Sequence, residues 1–196
     1  MRSQFRPDPV DPATLRRLLQ AAHDAPSVGL SQPWNFILIR DPGTRQRLHD
    51  VFQAANAQAA TRFPDRKALY SSLKLQGILE APVNLCITCD RDRAGPHVLG
   101  RTHDAATDLY STACAVQNLW LAARAEGIGV GWVSIFDLDD LSHILALPDH
   151  VVPVAYLCIG HVTELYQQPE LQARGWADRL PLDDLIFQDS WGTPPA

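Results

Sequence analysis

No apolar stretch of this chain approaches the length of a transmembrane helix. The longest runs, such as residues 151–160, are far shorter than the ~20 residues that span a bilayer. The first seven residues, M-R-S-Q-F-R-P, contain no apolar run either, so they do not resemble a secretory signal. These absences predict a cytoplasmic protein with no membrane partner.

Positive charge is also scarce. The net charge is −5, and the fifteen arginines and two lysines form no basic stripe. Nucleic-acid binding needs such a stripe, so nucleic acid is excluded as the main partner. With 196 residues, 46% of them hydrophobic and 20% charged, the chain is expected to form one globular domain with a substantial core.

The sequence offers no convincing metal site. Its four cysteines are Cys86, Cys89, Cys114 and Cys158. The first two form a C-x-x-C, but they lie in an expected strand, where residues i and i+3 point to opposite faces. The histidines show no paired helical spacing. We therefore predict that all four cysteines are small buried residues of a reducing compartment and that no metal is bound.

Hydrophobic periodicity predicts an α+β fold with a small central sheet packed with helices. Helices are expected at about 12–24, 44–60, 66–79, 106–125 and 139–145, and strands at about 35–40, 83–89, 130–136 and 152–160.

Two long segments point to association. Residues 106–125 are apolar nearly all round, which predicts a central buried helix or one in a subunit interface. Residues 161–196 show little regular pattern beyond a helical turn at 182–186, yet they include Trp176, Leu185, Phe187 and Trp191. We expect this extended C-terminal arm to wrap the partner subunit of a homodimer.

Residues 26–34, P-S-V-G-L-S-Q-P-W, could bind a planar heterocycle. They offer a hydroxyl, a side-chain amide and free backbone N–H groups for ring nitrogens and carbonyls. A plain connecting turn explains the same residues equally well. Ser134, in G-W-V-S-I-F, reads on its own as a half-buried strand serine that bonds its own backbone.

The pattern P-S-x-x-x-x-Q-P-W before an apolar strand resembles the flavin loop of the nitroreductase family. The BluB branch of that family is similar over nearly the whole chain. Nitroreductases usually carry asparagine where this chain has Leu30, which favours the BluB branch. The similar stretches are 21–29, 72–78, 88–91, 98–103, 108–112, 114–127, 130–136, 175–176 and 179–182.

This resemblance implies a single nitroreductase-like, FMN-binding domain over residues 1–196 and a homodimer with two flavin sites in the interface. It also implies that reduced FMN is a substrate, with molecular oxygen as co-substrate and a separate flavin reductase as its source. The ribityl carbon next to the ring would enter 5,6-dimethylbenzimidazole, the lower ligand of cobalamin. Erythrose 4-phosphate would be a second product, formed from the rest of the ribityl phosphate chain.

The resemblance also implies site residues. Ser134 matches the serine that the family places near the reactive edge of the flavin, where a hydroxyl can relay a proton. Arg2 and Arg179 match two arginines of the phosphate region, and residues 61–77 fall where the family has a lid. The full set of implied flavin-binding residues is Arg2, Ser27, Gly29, Gln32, Leu99 and Arg179.

The chain departs from the family at its start. BluB chains carry R-R-D-V-R before the phenylalanine that corresponds to Phe5, whereas only Met1-Arg2 match V-R here. The family's aspartate near the flavin has no counterpart, so we expect the native protein to begin upstream. Two other functions stay open: an FMN-dependent NAD(P)H nitroreductase that returns its flavin intact, and a catalytically impaired FMN-binding protein.

Overall fold

The structure is a computed structural model that describes residues 4–195. Three short 3-10 turns lie at Val28–Leu30, Pro64–Arg66 and Leu182–Leu185. No helix within these residues is both long and apolar enough to cross a membrane. The strands are β1 (Trp34–Ile39), β2 (Val83–Asp90), β3 (Gly129–Val133) and β4 (Val151–Gly160). The helices are α1 (Pro12–His23), α2 (Pro42–Ala60), α3 (Lys67–Ser72), α4 (Thr107–Ala125), α5 (Leu138–Ile144) and α6 (Glu170–Ala173).

The four strands form one antiparallel sheet in the order β1-β2-β4-β3. Trp34 at the start of β1 lies opposite Cys89 of β2, and Val133 at the end of β3 lies opposite Tyr156 of β4. Consequently β1 and β3 are the edge strands. The start of β1 and the end of β3 are at the same end of the sheet.

Apolar side chains fill both faces of this sheet. Leu18 of α1, Leu119 of α4 and Leu157 of β4 are fully buried on one face. Phe52 of α2 and Tyr156 of β4 are buried on the other. Burial stabilises each such side chain by roughly 1.5–3 kcal/mol. The predicted α+β fold with a small sheet between helices is confirmed.

Side-chain caps determine where the first two helices begin. Asp11 accepts a hydrogen bond from the Thr14 N–H at 3.0 Å, which starts α1 where the sequence predicts. Asp41 accepts the same bond from the Thr44 N–H at 2.6 Å, so α2 begins at Pro42 and not at Thr44 as expected. The hydrogen bonds from the Thr44 N–H and hydroxyl lower the pKa of the Asp41 carboxyl.

Two expected element ends are wrong. The helix expected over 66–79 ends at Ser72, because Leu73 is extended and Gln76 Oε1 accepts the Ile78 N–H at 2.7 Å. The strand expected over 130–136 ends at Val133, where pairing with β4 stops. Ser134 therefore lies in the connection to α5 and not within the strand.

Within this chain α4 is buried on one face and exposed on the other. Ser111 and Leu119 face the core, whereas Tyr110 and Leu121 on the opposite side are 58% and 59% exposed. The helix thus leaves an apolar face outside the chain's own core, as the interface alternative requires.

The expectation that all four cysteines are buried is wrong at Cys114. This residue lies on the outer face of α4 and is exposed, while the other three are buried. Burial raises the pKa of the Cys86 and Cys158 thiols to about 12. Both thiols therefore stay protonated at neutral pH. No group of three possible metal ligands occurs in the part of the chain that the structure describes.

The chain divides into two units, with the boundary between Leu165 and Tyr166. The second unit contains α6 and the turn Leu182–Leu185, and the rings of Phe187 and Trp191 lie 4.7 Å apart. None of its described residues is buried, and Trp191 is 90% exposed. That the arm wraps a partner stays a prediction.

Candidate active site

Two serine hydroxyls hold the loop between α1 and β1. Ser27 Oγ accepts a hydrogen bond from the Gln32 N–H at 3.0 Å and closes the loop on itself. Ser111 Oγ of α4 accepts one from the Val28 N–H at 3.0 Å and donates to the Thr107 carbonyl at 2.6 Å. The loop is thus fixed to α4. The anchoring role of Ser111 was not predicted from the sequence.

The backbone of this loop is strained. Gly29, Leu30 and Gln32 have φ values of 54°, 53° and 47°. Glycine adopts this region freely, but each non-glycine residue there costs on the order of 1–3 kcal/mol. Such conformations persist where surrounding contacts enforce them, and they concentrate at ligand sites. The strain therefore marks the loop as a candidate binding site.

Gly29 packs directly against the segment that carries Leu99. A Cβ atom at Gly29 would lie 2.7 Å from Val98 Cγ1 and 2.8 Å from the Leu99 carbonyl oxygen. Two of the predicted flavin-binding residues are thus adjacent, while the Leu99 side chain itself is 88% exposed. Sequence reasoning missed Val98, which forms the other half of this contact.

A buried ion network fixes the segment between β2 and α4. Asp108 is 1% exposed, and its Oδ1 accepts from Arg91 Nη1 at 2.8 Å. Arg101 Nη1 lies 3.7 Å from Asp108 Oδ2, and Arg101 Nη2 donates to the Gly95 carbonyl at 2.5 Å. The network therefore holds both flanks of the segment that packs on Gly29.

Ser134 follows the last residue of β3 with a free hydroxyl. Its side chain is exposed and forms no hydrogen bond to any of residues 4–195. It stands at a small cavity of about 180 Å³. The other lining residues are mostly apolar: Trp132, Val133, Phe136, Leu138, Leu141, Pro153, Val154, Ala155 and Tyr156. A hydroxyl in such surroundings can donate a proton to a ligand and accept one back.

The loop and Ser134 lie at the same end of the sheet but at opposite edges. Phe36 of β1 pairs with Ile87, Ile87 pairs with Ala155, and Ala155 precedes the partner of Val133. Val133, the last paired residue of β3, is therefore within one residue of the level of Phe36. Three inter-strand spacings separate them, which is about 14 Å. Within one chain the loop and Ser134 therefore lie beside opposite edge strands of the sheet.

Two further concavities flank β1. A polar recess of about 440 Å³ lies beside its start and includes Ser31, Gln32 and Arg93. A groove of about 410 Å³ lies at its other end and includes Leu15, Leu38 and Arg40. The groove contains none of the predicted site residues, so its size does not make it the candidate active site.

The remaining predicted residues are not placed at this site. Arg2 lies outside the described residues, and Arg179 belongs to the second unit. In the expected lid, the rings of Phe63 and Tyr70 stack at 5.5 Å, and the Tyr70 hydroxyl donates to Asn56 Oδ1 at 2.7 Å. The segment is therefore tied to α2, and its role as a lid stays a prediction.

Comparison with known proteins agrees with this architecture. The Nitroreductase family matches residues 1–161. A 5,6-dimethylbenzimidazole synthase of Rhodospirillum rubrum is 44% identical over 178 residues, covering 90% of this chain and 84% of the relative. One of Rhodobacter capsulatus is 41% identical over 180 residues, covering 91% and 87%.

A solved structure gives the same fold at low identity. An iodotyrosine deiodinase bound to FMN and 3-iodo-L-tyrosine superposes with a TM-score of 0.70 at 19% identity, covering 87% of this chain and 90% of that one. This likeness concerns the fold alone. The family match and the two synthases carry the assignment: the chain belongs to the nitroreductase family, among its 5,6-dimethylbenzimidazole synthases.

Proposed function

We propose that this protein converts reduced FMN and molecular oxygen into 5,6-dimethylbenzimidazole and erythrose 4-phosphate, and that the remaining carbon and nitrogen atoms of the flavin's pyrimidine ring leave as a further fragment. The observation that carries the proposal is the similarity to two synthases of that product over about nine-tenths of the chain. FMN is here the substrate, and it supplies both the electrons and the carbon and nitrogen atoms of the product. A separate reductase provides its reduced form.

The loop fits a flavin ring. The Gln32 side-chain amide is half-buried and forms no hydrogen bond to another described residue, so it can pair with a ring carbonyl or nitrogen. The Ser27 hydroxyl already accepts one bond within the loop and keeps its proton for a ligand. Gly29 lets the loop backbone approach closely. Arg2 and Arg179 would bind the phosphate.

Ser134 is the residue that we assign to proton transfer. Its hydroxyl is free among the described residues, and the lining of the adjacent cavity is mostly apolar. A ring that covers this cavity would displace water from it, and fewer competing water contacts would strengthen a hydrogen bond from Ser134 to the reacting edge of the ring. The lid expected over 61–77 would exclude bulk water further.

A homodimer would complete the site. The loop precedes β1 and Ser134 follows β3, and these edge strands are three inter-strand spacings apart, about 14 Å. A ring held by the loop of one chain would therefore meet Ser134 of the partner. The outer face of α4, which includes Tyr110, Cys114 and Leu121, offers an apolar surface for that contact. The exposed apolar side chains of the arm offer another.

We expect light scattering to give twice the chain mass of 21.7 kDa at micromolar concentration. Exposed apolar area on α4 and on the arm favours association because burying it removes it from water. A Leu121→Arg variant should shift the population toward monomer, since a charge would then enter the contact. A uniform 21.7 kDa species for the unmodified protein would contradict the shared site.

Gly29→Ala is expected to weaken FMN binding at least tenfold. The added methyl would overlap Val98 Cγ1 and the Leu99 carbonyl, and a left-handed φ of 54° disfavours alanine besides. The loop must therefore shift away from the segment behind it. Titration of FMN by fluorescence quenching measures the change.

The matched control is Gly127→Ala. Gly127 also has a left-handed φ, 73°, but a Cβ there would meet nothing within 4 Å. It carries the same backbone penalty of roughly 1–2 kcal/mol without the overlap, so its FMN affinity should equal that of the parent protein. Equal affinities for all three proteins would remove Gly29 from the site.

The proposed function is tested by following the fate of the flavin. Chemically reduced FMN mixed with purified protein in air should disappear while 5,6-dimethylbenzimidazole accumulates. Steady NAD(P)H oxidation with a nitroaromatic acceptor and full recovery of FMN would instead identify a nitroreductase. Binding of FMN with no turnover of either kind would identify an impaired binding protein.

A further inference from the structure

We propose that Arg93 is a positioning residue that fixes the backbone of Gln32 and thereby presents its side-chain amide to the flavin. The inference rests on the proposed role of the 26–34 loop in FMN binding. Arg93 lies just beyond the end of β2, sixty-one residues from Gln32 in sequence. No motif in the sequence associates the two.

The Arg93 guanidinium bridges four acceptors around the end of the loop. Nη1 donates to the Gln32 carbonyl at 3.3 Å and to the Trp34 carbonyl at 3.4 Å. Nη2 donates to Asn35 Oδ1 at 2.5 Å and to Asp90 Oδ2 at 3.2 Å. Both Nη atoms are thus fully engaged with the protein. Within the polar recess, Arg93 therefore supports the loop.

These contacts complete the restraint on a strained residue. Gln32 has φ 47°, its N–H is held by Ser27 Oγ at 3.0 Å, and its carbonyl is held by Arg93. Both backbone groups of the residue are fixed, while the side-chain amide has no partner among the described residues. This is the arrangement expected where neighbouring groups pre-organise a ligand-binding side chain.

The geometry requires arginine in particular. A planar guanidinium can direct two N–H groups to backbone carbonyls and two more to side-chain oxygens in one plane. A lysine ammonium is a compact charge on a single atom and cannot span this set of acceptors. Asp90 is the carboxylate partner of Arg93. Its side chain is 19% exposed, and it orients the guanidinium from the other side.

The test compares Arg93→Ala, Arg93→Lys and the control Arg17→Ala. Arg17 also donates to a carboxylate, that of Glu126, but on the surface and away from the loop. We expect Arg93→Ala to raise the FMN dissociation constant about tenfold, with Arg93→Lys nearly as weak. The maximal rate at saturating reduced FMN should change little, because the lost interaction serves binding.

Two further readouts separate positioning from general structure. Amide exchange of the 27–34 peptide should accelerate in flavin-free Arg93→Ala, while its Tm stays close to that of Arg17→Ala. Millimolar guanidinium chloride should restore FMN affinity in Arg93→Ala, whereas sodium chloride at equal concentration should not.

Unchanged FMN affinity in Arg93→Ala would overturn the proposal. So would a loss of affinity accompanied by a large fall in Tm and no rescue by guanidinium. If the unmodified protein binds no FMN, the proposed function fails. In that case, amide exchange of the 27–34 peptide in the flavin-free proteins still tests whether Arg93 holds the loop.

Discussion

Replacing Ser134 with alanine should lower the rate of 5,6-dimethylbenzimidazole formation about 100-fold while leaving FMN affinity within about threefold. The hydroxyl has no partner among the described residues, so its removal leaves no unsatisfied protein group behind. The loss should therefore appear in the reaction and not in folding or flavin binding. Product appearance by mass spectrometry and FMN titration measure the two quantities.

The control for this variant is Ser142→Ala in α5. The Ser142 hydroxyl donates to the Leu138 carbonyl one helical turn away, within the helix that follows Ser134. Its removal should leave the rate within about twofold, as for surface substitutions away from a site. An unchanged product rate in Ser134→Ala would remove Ser134 from the reaction. Equal losses in both variants would point to disturbed packing instead.

Asp108→Asn should destabilise the fold by about 3–5 kcal/mol. The Asp108 carboxylate is 1% exposed, and it is the counter-charge of Arg91 and of Arg101, whose side chain is 11% exposed. The asparagine removes the negative charge and leaves the two guanidinium groups without a counter-charge where water reaches them poorly. Its amide NH2 would also place a hydrogen-bond donor against an arginine donor. Urea unfolding should show a lower midpoint at an unchanged slope.

Glu126→Gln provides the comparison for Asp108→Asn. Glu126 also bonds an arginine, Arg17, through both oxygens, at 2.8 and 2.5 Å. That pair lies on the surface, where water replaces the lost partner, so its loss should matter far less. Equal midpoints for the two variants would show that burial of Asp108 does not decide its contribution.

The sequence predicted parts of the fold that local chemistry determines. Asp11 caps α1 from three residues before the Thr14 N–H that it binds, and α1 begins where the sequence predicts. The cap that Asp41 forms on α2 was not predicted, and that helix begins two residues earlier than expected. The end of α3 depends on Leu73 turning extended and on the bond from the Ile78 N–H to the Gln76 side chain. The hydrophobic periodicity of the sequence does not predict this end of the helix. Cys114 was misjudged for a related reason, because an apolar helix does not reveal which face its own chain covers.

In the candidate site, too, some residues could be recognised from the sequence and others could not. The loop was recognised because residues 26–34 are contiguous in the sequence, whereas Ser134 was assigned only through the resemblance of G-W-V-S-I-F to the family. The groups that hold the loop are distant along the chain: Ser111 bonds Val28 across eighty-three positions and Arg93 bonds Gln32 across sixty-one. A helical serine and a surface arginine look ordinary in sequence. Only the tertiary structure brings them to the loop.

The proposed reaction consumes the flavin and forms a new ring from its atoms. The most direct measurement uses reduced FMN carrying ¹³C at the ribityl carbon next to the ring, with protein in excess over flavin and air admitted to start the reaction. We expect FMN to be lost and 5,6-dimethylbenzimidazole to appear one mass unit heavier, with unlabelled erythrose 4-phosphate. Quantitative recovery of labelled FMN in its oxidised form, with no benzimidazole, would contradict it.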